Sequence, residues 1–169
     1  MNLSEAKLPV VYLKPGELYI ARRPTIVTTV LGSCISVTMF NRRLGIGAIC
    51  HGLLPRCRDK KKCDDNCTEE FKYVGCSVRS MVEEFIMSGS KRNEIEVKVF
   101  GGADVFALKG VDRKSANIGK QNIKAALSVI RSEGLHLLTS DVGGVAGRKI
   151  FFNTQTGEVF LKRLKRIND

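Results

Sequence analysis

Cys34 and His51 are the side chains of this 169-residue sequence best suited to covalent chemistry. A cysteine attacks a carbonyl carbon as thiolate, and a free thiol, with a pKa of about 8.5, is mostly protonated at neutral pH. It needs a base, and His51 supplies one if the fold brings the ring against the sulfur. Cys34 closes a Gly32-Ser33-Cys34 run. A small turn of this composition exposes the sulfur and leaves backbone N–H groups, those around Gly32 and Ser33, to hold an oxyanion. The corresponding chemistry is acyl transfer through a thioester. Spacing alone does not separate that chemistry from two unrelated side chains.

The elements around the pair are short strands. The runs ELYIARR, TIVTTVLG, CISVTMF and LGIGAICHGL, from Glu17 onward, are rich in β-branched and apolar residues and precede any convincing helix. Neighbours on a strand point to opposite faces, so if His51 meets Cys34, then Cys50 faces away. A helix is expected over 77–87, with Val78, Met81, Val82, Phe85 and Ile86 as its apolar stripe and Gly89 at its end. EIEVKVF, 94–100, alternates as a strand, and a second helix follows over 119–133 with Ile123, Ala126, Leu127 and Ile130 inward. LHLLTSDV is the next strand; His136 within it reads as structural. RKIFFN, a TQTG turn and EVFLKRL form a C-terminal hairpin. Strands, helix, strand, helix and three strands describe one α+β domain over 1–169 with antiparallel or mixed sheets, not a regularly alternating parallel sheet.

Twenty-eight Lys and Arg against seventeen Asp and Glu give a net charge of +11, which favours an acidic partner. Two basic clusters stand out: Arg56, Arg58 and Lys60 to Lys62, and Lys162, Arg163, Lys165 and Arg166. Nucleic-acid binding has this charge without a zinc-finger spacing, an aromatic RNA-binding signature or a helix-turn-helix. There is no signal-peptide pattern and no run of about 20 apolar residues, so a cytoplasmic protein without membrane insertion is expected. A reducing compartment argues against disulfides among the six cysteines. Cys57, Cys63, Cys67 and Cys76 lack paired CxxC knuckles, so no metal is expected there, and the loop 56–72 reads as irregular. The phosphate-loop, dinucleotide, HExxH and GxSxG patterns are absent, and no cofactor is expected.

Four blocks, TTVLGSCISVTMFN…GIGAICHGLLP, VFGGADVF, NIGKQNIKAAL and SDVGGVAGRKIFFNTQTGEVFLKRL, resemble in order the CheD family of chemoreceptor glutamine deamidases, from about Gly16 onward. The resemblance implies a layered, β-sandwich-like core of antiparallel or mixed sheets flanked by helices, similar to cytotoxic necrotizing factor-type toxin deamidases. It also implies a thiol-dependent protein-glutamine glutaminase acting on methyl-accepting chemotaxis receptors, with a Cys-His-Thr site at Cys34, His51 and Thr28. Thr29 is the neighbouring alternative for the third position, and the motif spacing selects Thr28. The CheC phosphatase is implied as a regulator. A thiol hydrolase acting on receptor methyl esters and a non-catalytic adaptor binding receptor or CheC are the alternatives.

Overall fold

The computed structural model describes residues 7–57, 69–105 and 117–165. Arg58, Lys60 to Lys62, Cys63, Cys67, Phe106, Leu108 and Arg166 lie outside the described residues. Nine strands and two α-helices are described: β1 (Val10–Tyr12), β2 (Leu18–Ile20), β3 (Ile26–Leu31), β4 (Ile35–Asn41), β5 (Ile46–Gly52), α1 (Val74–Met87), β6 (Ile95–Gly101), α2 (Ile118–Ser132), β7 (His136–Val142), β8 (Arg148–Asn153) and β9 (Val159–Arg163). This order of strands, helix, strand, helix and three strands is the expected one, with β1 as an addition. Helix α1 begins three residues before the expected start, at Val74.

The strands form two mixed sheets, β1-β3-β8-β9 and β2-β5-β4-β6-β7. Only the pairs β1–β3 and β6–β7 are parallel. Strand parity divides the apolar residues between two cores. From the five-stranded sheet, Ile35, Val37, Met39, Ala48, Cys50, Val97 and Val99 pack against α1 and α2. The opposite parity, including Ile49 and Phe100, meets Val27, Leu31, Ile150 and Phe152 of the four-stranded sheet. Both faces of β4 are therefore covered, and all seven of its residues are buried. The result is helices on sheet on sheet, an α+β layering in which each strand residue is assigned to the helix side or to the space between sheets.

Both helices differ slightly from their expected stripes. In α1, Val74 and Ser77 join the buried face while Ile86 is exposed. In α2 the buried face comprises Gly119, Asn122, Ala125, Ala126, Val129 and Ile130, and Leu127 is only half-buried. The α2 face turns toward Asn122 because that side chain has partners beneath it. None of the described helices is long and apolar enough to cross a membrane.

Candidate active site

Cys34 lies in the turn between β3 and β4, and His51 lies on β5 directly opposite Ser36 of β4. Cys34 stands two positions before Ser36, on the same face. A diagonal pair of this kind in an antiparallel sheet has its side chains about 7 Å apart, within reach of a long ring. That face looks into the space between the sheets, where Cys34 packs against the Val27, Leu31 and Ile49 cluster. Cys50 points to the helices, as parity requires; it is fully buried, and burial pushes its thiol up to about 12. Of the two thiols, only Cys34 shares the histidine's face.

The backbone of His51 is held by the two residues that precede β2: its carbonyl accepts from Gly16 N–H at 2.8 Å and its N–H donates to the Glu17 carbonyl at 3.0 Å. The imidazole is almost wholly buried, at 1% exposure. Burial drives its pKa down to about 4, against a smaller opposing pull from the Glu17 carboxylate. His51 is thus neutral at physiological pH, the state a general base requires.

The tautomer follows from a proton count. Thr29 Oγ1 lies 2.7 Å from His51 Nδ1 and 2.7 Å from the Leu13 carbonyl oxygen. A carbonyl only accepts, so the single hydroxyl proton goes to Leu13 and the hydroxyl accepts from Nδ1–H. Nε2 then carries the lone pair, and it is buried without a hydrogen-bond partner among the described residues. An unpaired buried acceptor costs about 1–3 kcal/mol, and such cost is concentrated where a site awaits a substrate.

Thr28 is the residue expected at the third position, with Thr29 as its alternative, and it is Thr29 whose hydroxyl meets the ring. Thr28 and Thr29 are neighbours on β3 and face opposite ways; Thr29 shares the inward parity of Val27 and Leu31, whereas Thr28 shares that of exposed Val30. The Thr28 carbonyl is taken by Leu13 N–H at 2.9 Å, and its buried hydroxyl has no partner among the described residues. The hydroxyl beside the ring is that of Thr29. We expect Thr29→Val to lower turnover by about tenfold or more, through loss of the Nδ1 acceptor. Thr28→Val should leave it within about twofold, since its side chain faces away. Steady-state kinetics of the two variants side by side make the check; equal losses would restore Thr28 to the third position.

All three carbonyls of the Gly32-Ser33-Cys34 turn are occupied. Gly32 O accepts from Ala103 N–H at 2.9 Å, Cys34 O from Gly102 N–H at 2.8 Å, and Ser33 O from Asn122 Nδ2 at 2.9 Å. The loop after β6 comes this close because Gly101 has a φ of +109°, and a Cβ there would overlap the Cys34 carbonyl oxygen. With the carbonyls turned to these partners, the N–H groups of Ser33 and Cys34 donate to no other described residue. Burial raises the Cys34 thiol above its ordinary range, with its own N–H opposing that shift. The resting pair is therefore a thiol and a neutral imidazole on one face, not a thiolate–imidazolium ion pair.

The chain matches the family described as CheD chemotactic sensory transduction over residues 53–163. It is 46% identical to the probable chemoreceptor glutamine deamidase CheD 2 of Geobacter sulfurreducens, over 98% of this chain and 97% of that one. The chain belongs to the CheD family. A CheD protein of Maridesulfovibrio salexigens, with the same description, is 37% identical over 98% of each chain. CheD 1 of the archaeon Methanosarcina acetivorans is 36% identical over 89% of this chain and 90% of that one. Among solved structures, hypothetical protein YfiH of Bacillus licheniformis has a TM-score of 0.43 at 10% identity, covering 73% of this chain and 49% of that one.

The CheD family match begins at residue 53, beyond Cys34 and His51, so the pair rests on the geometry above. The other sequence candidates fall elsewhere. His136 is exposed on β7, a surface residue and not a packed one. Cys57 and Cys76 are half-buried, and no group of three metal-binding side chains occurs among the described residues. One polar residue of the site, Asn122, was not singled out by sequence, whereas Thr29 was the alternative to Thr28 for the third position. The available signal for Asn122 was a polar residue on the inner stripe of a helix.

Proposed function

We propose that this CheD-family chain is a protein-glutamine deamidase, a cytoplasmic single-domain enzyme that converts glutamine side chains of methyl-accepting chemotaxis receptors to glutamate with release of ammonia. The observation that carries the reading is the buried, neutral His51 whose Nδ1–H is held by Thr29 and whose unpartnered Nε2 shares the face of Cys34. The names of the full-length relatives supply the substrate class.

In this mechanism Nε2 takes the Cys34 proton as sulfur bonds to the carboxamide carbon, and the carbonyl electron pair moves to oxygen. The N–H groups of Ser33 and Cys34, at the end of the Gly32 turn, hold that oxyanion. Nε2–H returns the proton to the amide nitrogen; the C–N bond breaks, ammonia leaves, and a thioester remains. Water then gives a proton to Nε2 and bonds to the same carbon, and the C–S bond breaks as sulfur recovers the proton, leaving glutamate. Thr29 holds the ring through both halves, and its acceptor contact strengthens while the imidazole is cationic. No cofactor takes part.

The test is incubation of the protein with a receptor cytoplasmic fragment, reading glutamine-to-glutamate conversion by mass spectrometry and ammonia release in parallel. Conversion with stoichiometric ammonia is expected. Methanol release from methylated fragments without ammonia would replace the reading with ester hydrolysis, and binding without either product would make the chain an adaptor. The net charge of +11 also predicts receptor association that weakens as salt rises. CheC, the proposed regulator, should compete with receptor in the same assay.

A further inference from the structure

Asn122 sits in the second turn of α2 and is fully buried. Its Nδ2 donates to two carbonyls with different chemical roles, Ser33 O at 2.9 Å in the turn before β4 and Leu53 O at 3.0 Å just after β5. Ser33 precedes the nucleophile, and Leu53 follows the base by two residues. Both acceptors are carbonyls, so the amide must present its nitrogen to them, and both of its protons are used. Its Oδ1 is left buried without a partner among the described residues. A polar side chain placed inside a helix's apolar face, with half of its own capacity unsatisfied, is costly to keep. Packing alone does not call for it, since alanine or leucine would fill the same stripe.

The other two carbonyls of the Cys34 turn are held by backbone N–H groups of Gly102 and Ala103. Asn122 is the side chain among the three grips, and it alone also holds the His51 strand. The α2 helix can approach so closely because Gly119, one turn earlier, has no Cβ to strike the Gly102 and Ala103 carbonyls.

We infer that Asn122 is a positioning residue for the reaction: its amide clamps the nucleophile turn to the end of the base strand, setting the separation of Cys34 and His51 and turning the Ser33 and Cys34 N–H groups toward the substrate. It touches neither sulfur nor imidazole. Its kinetic consequence rests on the deamidase reading; its structural consequence does not. Without the clamp, the turn gains freedom to expose its sulfur while losing alignment with Nε2. The variant's thiol therefore becomes more accessible to a small reagent at the same time as turnover falls, and misplacement of reacting atoms by about 1 Å can cost about 100-fold.

The experiment compares wild type, Asn122→Ala, Asn122→Ser and Val129→Ala, at a temperature where each is folded. Val129→Ala removes buried apolar volume from the same helix without touching the clamp, and so matches the loss of stability. Asn122→Ser keeps one donor and has a milder effect on folding. The first readout needs no receptor: iodoacetamide labelling of the Cys34 peptide, followed by mass spectrometry so that the other cysteines do not interfere. Both Asn122 variants should label at least about threefold faster than wild type and Val129→Ala. The second is deamidation of a receptor fragment, where Asn122→Ala should lose about 10- to 100-fold in kcat with KM little changed, and Asn122→Ser less. Labelling rates equal to those of Val129→Ala would overturn the clamp. A wild type that labels as expected but releases no ammonia would overturn the deamidase reading and leave the clamp decided by labelling alone.

Discussion

Cys34→Ala should abolish ammonia release from receptor fragments, a loss of about 10⁴-fold or more, while leaving the fold and the urea midpoint close to those of wild type. The size follows from the chemistry: without sulfur there is no thioester, and what remains is the oxyanion site and whatever positioning the fold provides for water. The small effect on stability follows from position, since Cys34 is only half-buried in a turn whose carbonyls are held through the backbone. Cys50→Ala provides the contrast. That thiol is packed against the helices and should cost stability without removing activity at temperatures where the variant is folded. Full activity in Cys34→Ala would end the thiol mechanism.

The same cysteine gives a pH signature with a definite sign. Burial lifts the Cys34 thiol above its ordinary value and lowers His51 to about 4, so the proton rests on sulfur throughout the neutral range. The thiolate fraction must then grow about tenfold per pH unit up to the raised thiol pKa. Labelling of wild-type Cys34 should rise steadily from pH 6 to beyond the ordinary thiol range of about 8.5. An ion pair would instead give a plateau across neutral pH. Deamidation should behave differently: His51 stays neutral down to about 4, so the base remains available well into the acid range, and activity there is limited by folding and not by imidazole protonation. A labelling plateau between pH 5 and 8 would contradict the neutral pair.

Much of this site was legible because strand parity is a local property. The alternation along LGIGAICHGL puts Cys50 and His51 on opposite faces, and the two cores separate in that way. The turn, the helices and the C-terminal hairpin also carried local signals: glycines, apolar stripes and a TQTG reversal. Three features depended on packing between distant elements. IVTTVL is β-branched or apolar in both parities, so nothing local says whether Thr28 or Thr29 faces the second sheet; that is settled by the pairing of β3 with β8. Strand β1 has three residues, too few to show a period, although the next residue, Leu13, provides the carbonyl that takes the Thr29 proton. Asn122 looked like an ordinary polar helix residue because its partners, Ser33 and Leu53, are far away in sequence and are backbone groups, whose identity leaves no mark in side-chain pattern.

Arg148→Met should destabilise the protein by about 3 kcal/mol and, unlike most distant core changes, should also slow deamidation at temperatures where the variant remains folded. Arg148 starts β8 in the four-stranded sheet and is 2% exposed. Its guanidinium reaches the other sheet, donating to Asp141 Oδ1 at 2.7 Å and to the Gly143 carbonyl at 2.8 Å. Asp141 is a third exposed and also pairs with Arg163 at 2.6 Å. Burial tends to raise the Asp141 pKa, but the bonds and charges of the two arginines outweigh it and hold the carboxyl below its ordinary value. Methionine keeps the apolar bulk and removes the buried donors. Because Arg163 still neutralises Asp141, the cost belongs near the low end of the roughly 3–5 kcal/mol expected when one partner of a buried pair is removed. Arg163→Ala should cost about 1 kcal/mol or less, as that side chain is mostly exposed. The catalytic consequence comes from register: Arg148 lies opposite Leu31, the last residue before the Gly32 turn, and Gly143 N–H is bonded at 2.9 Å to the carbonyl of Gly101, which lies opposite Ile35. Loosening Arg148 therefore loosens both supports of the nucleophile turn. Urea unfolding with an unchanged m-value, combined with kinetics well below the transition, separates the two effects. If Arg148→Met lost stability but kept full kcat, the inter-sheet ion pair would hold the fold without setting the position of Cys34.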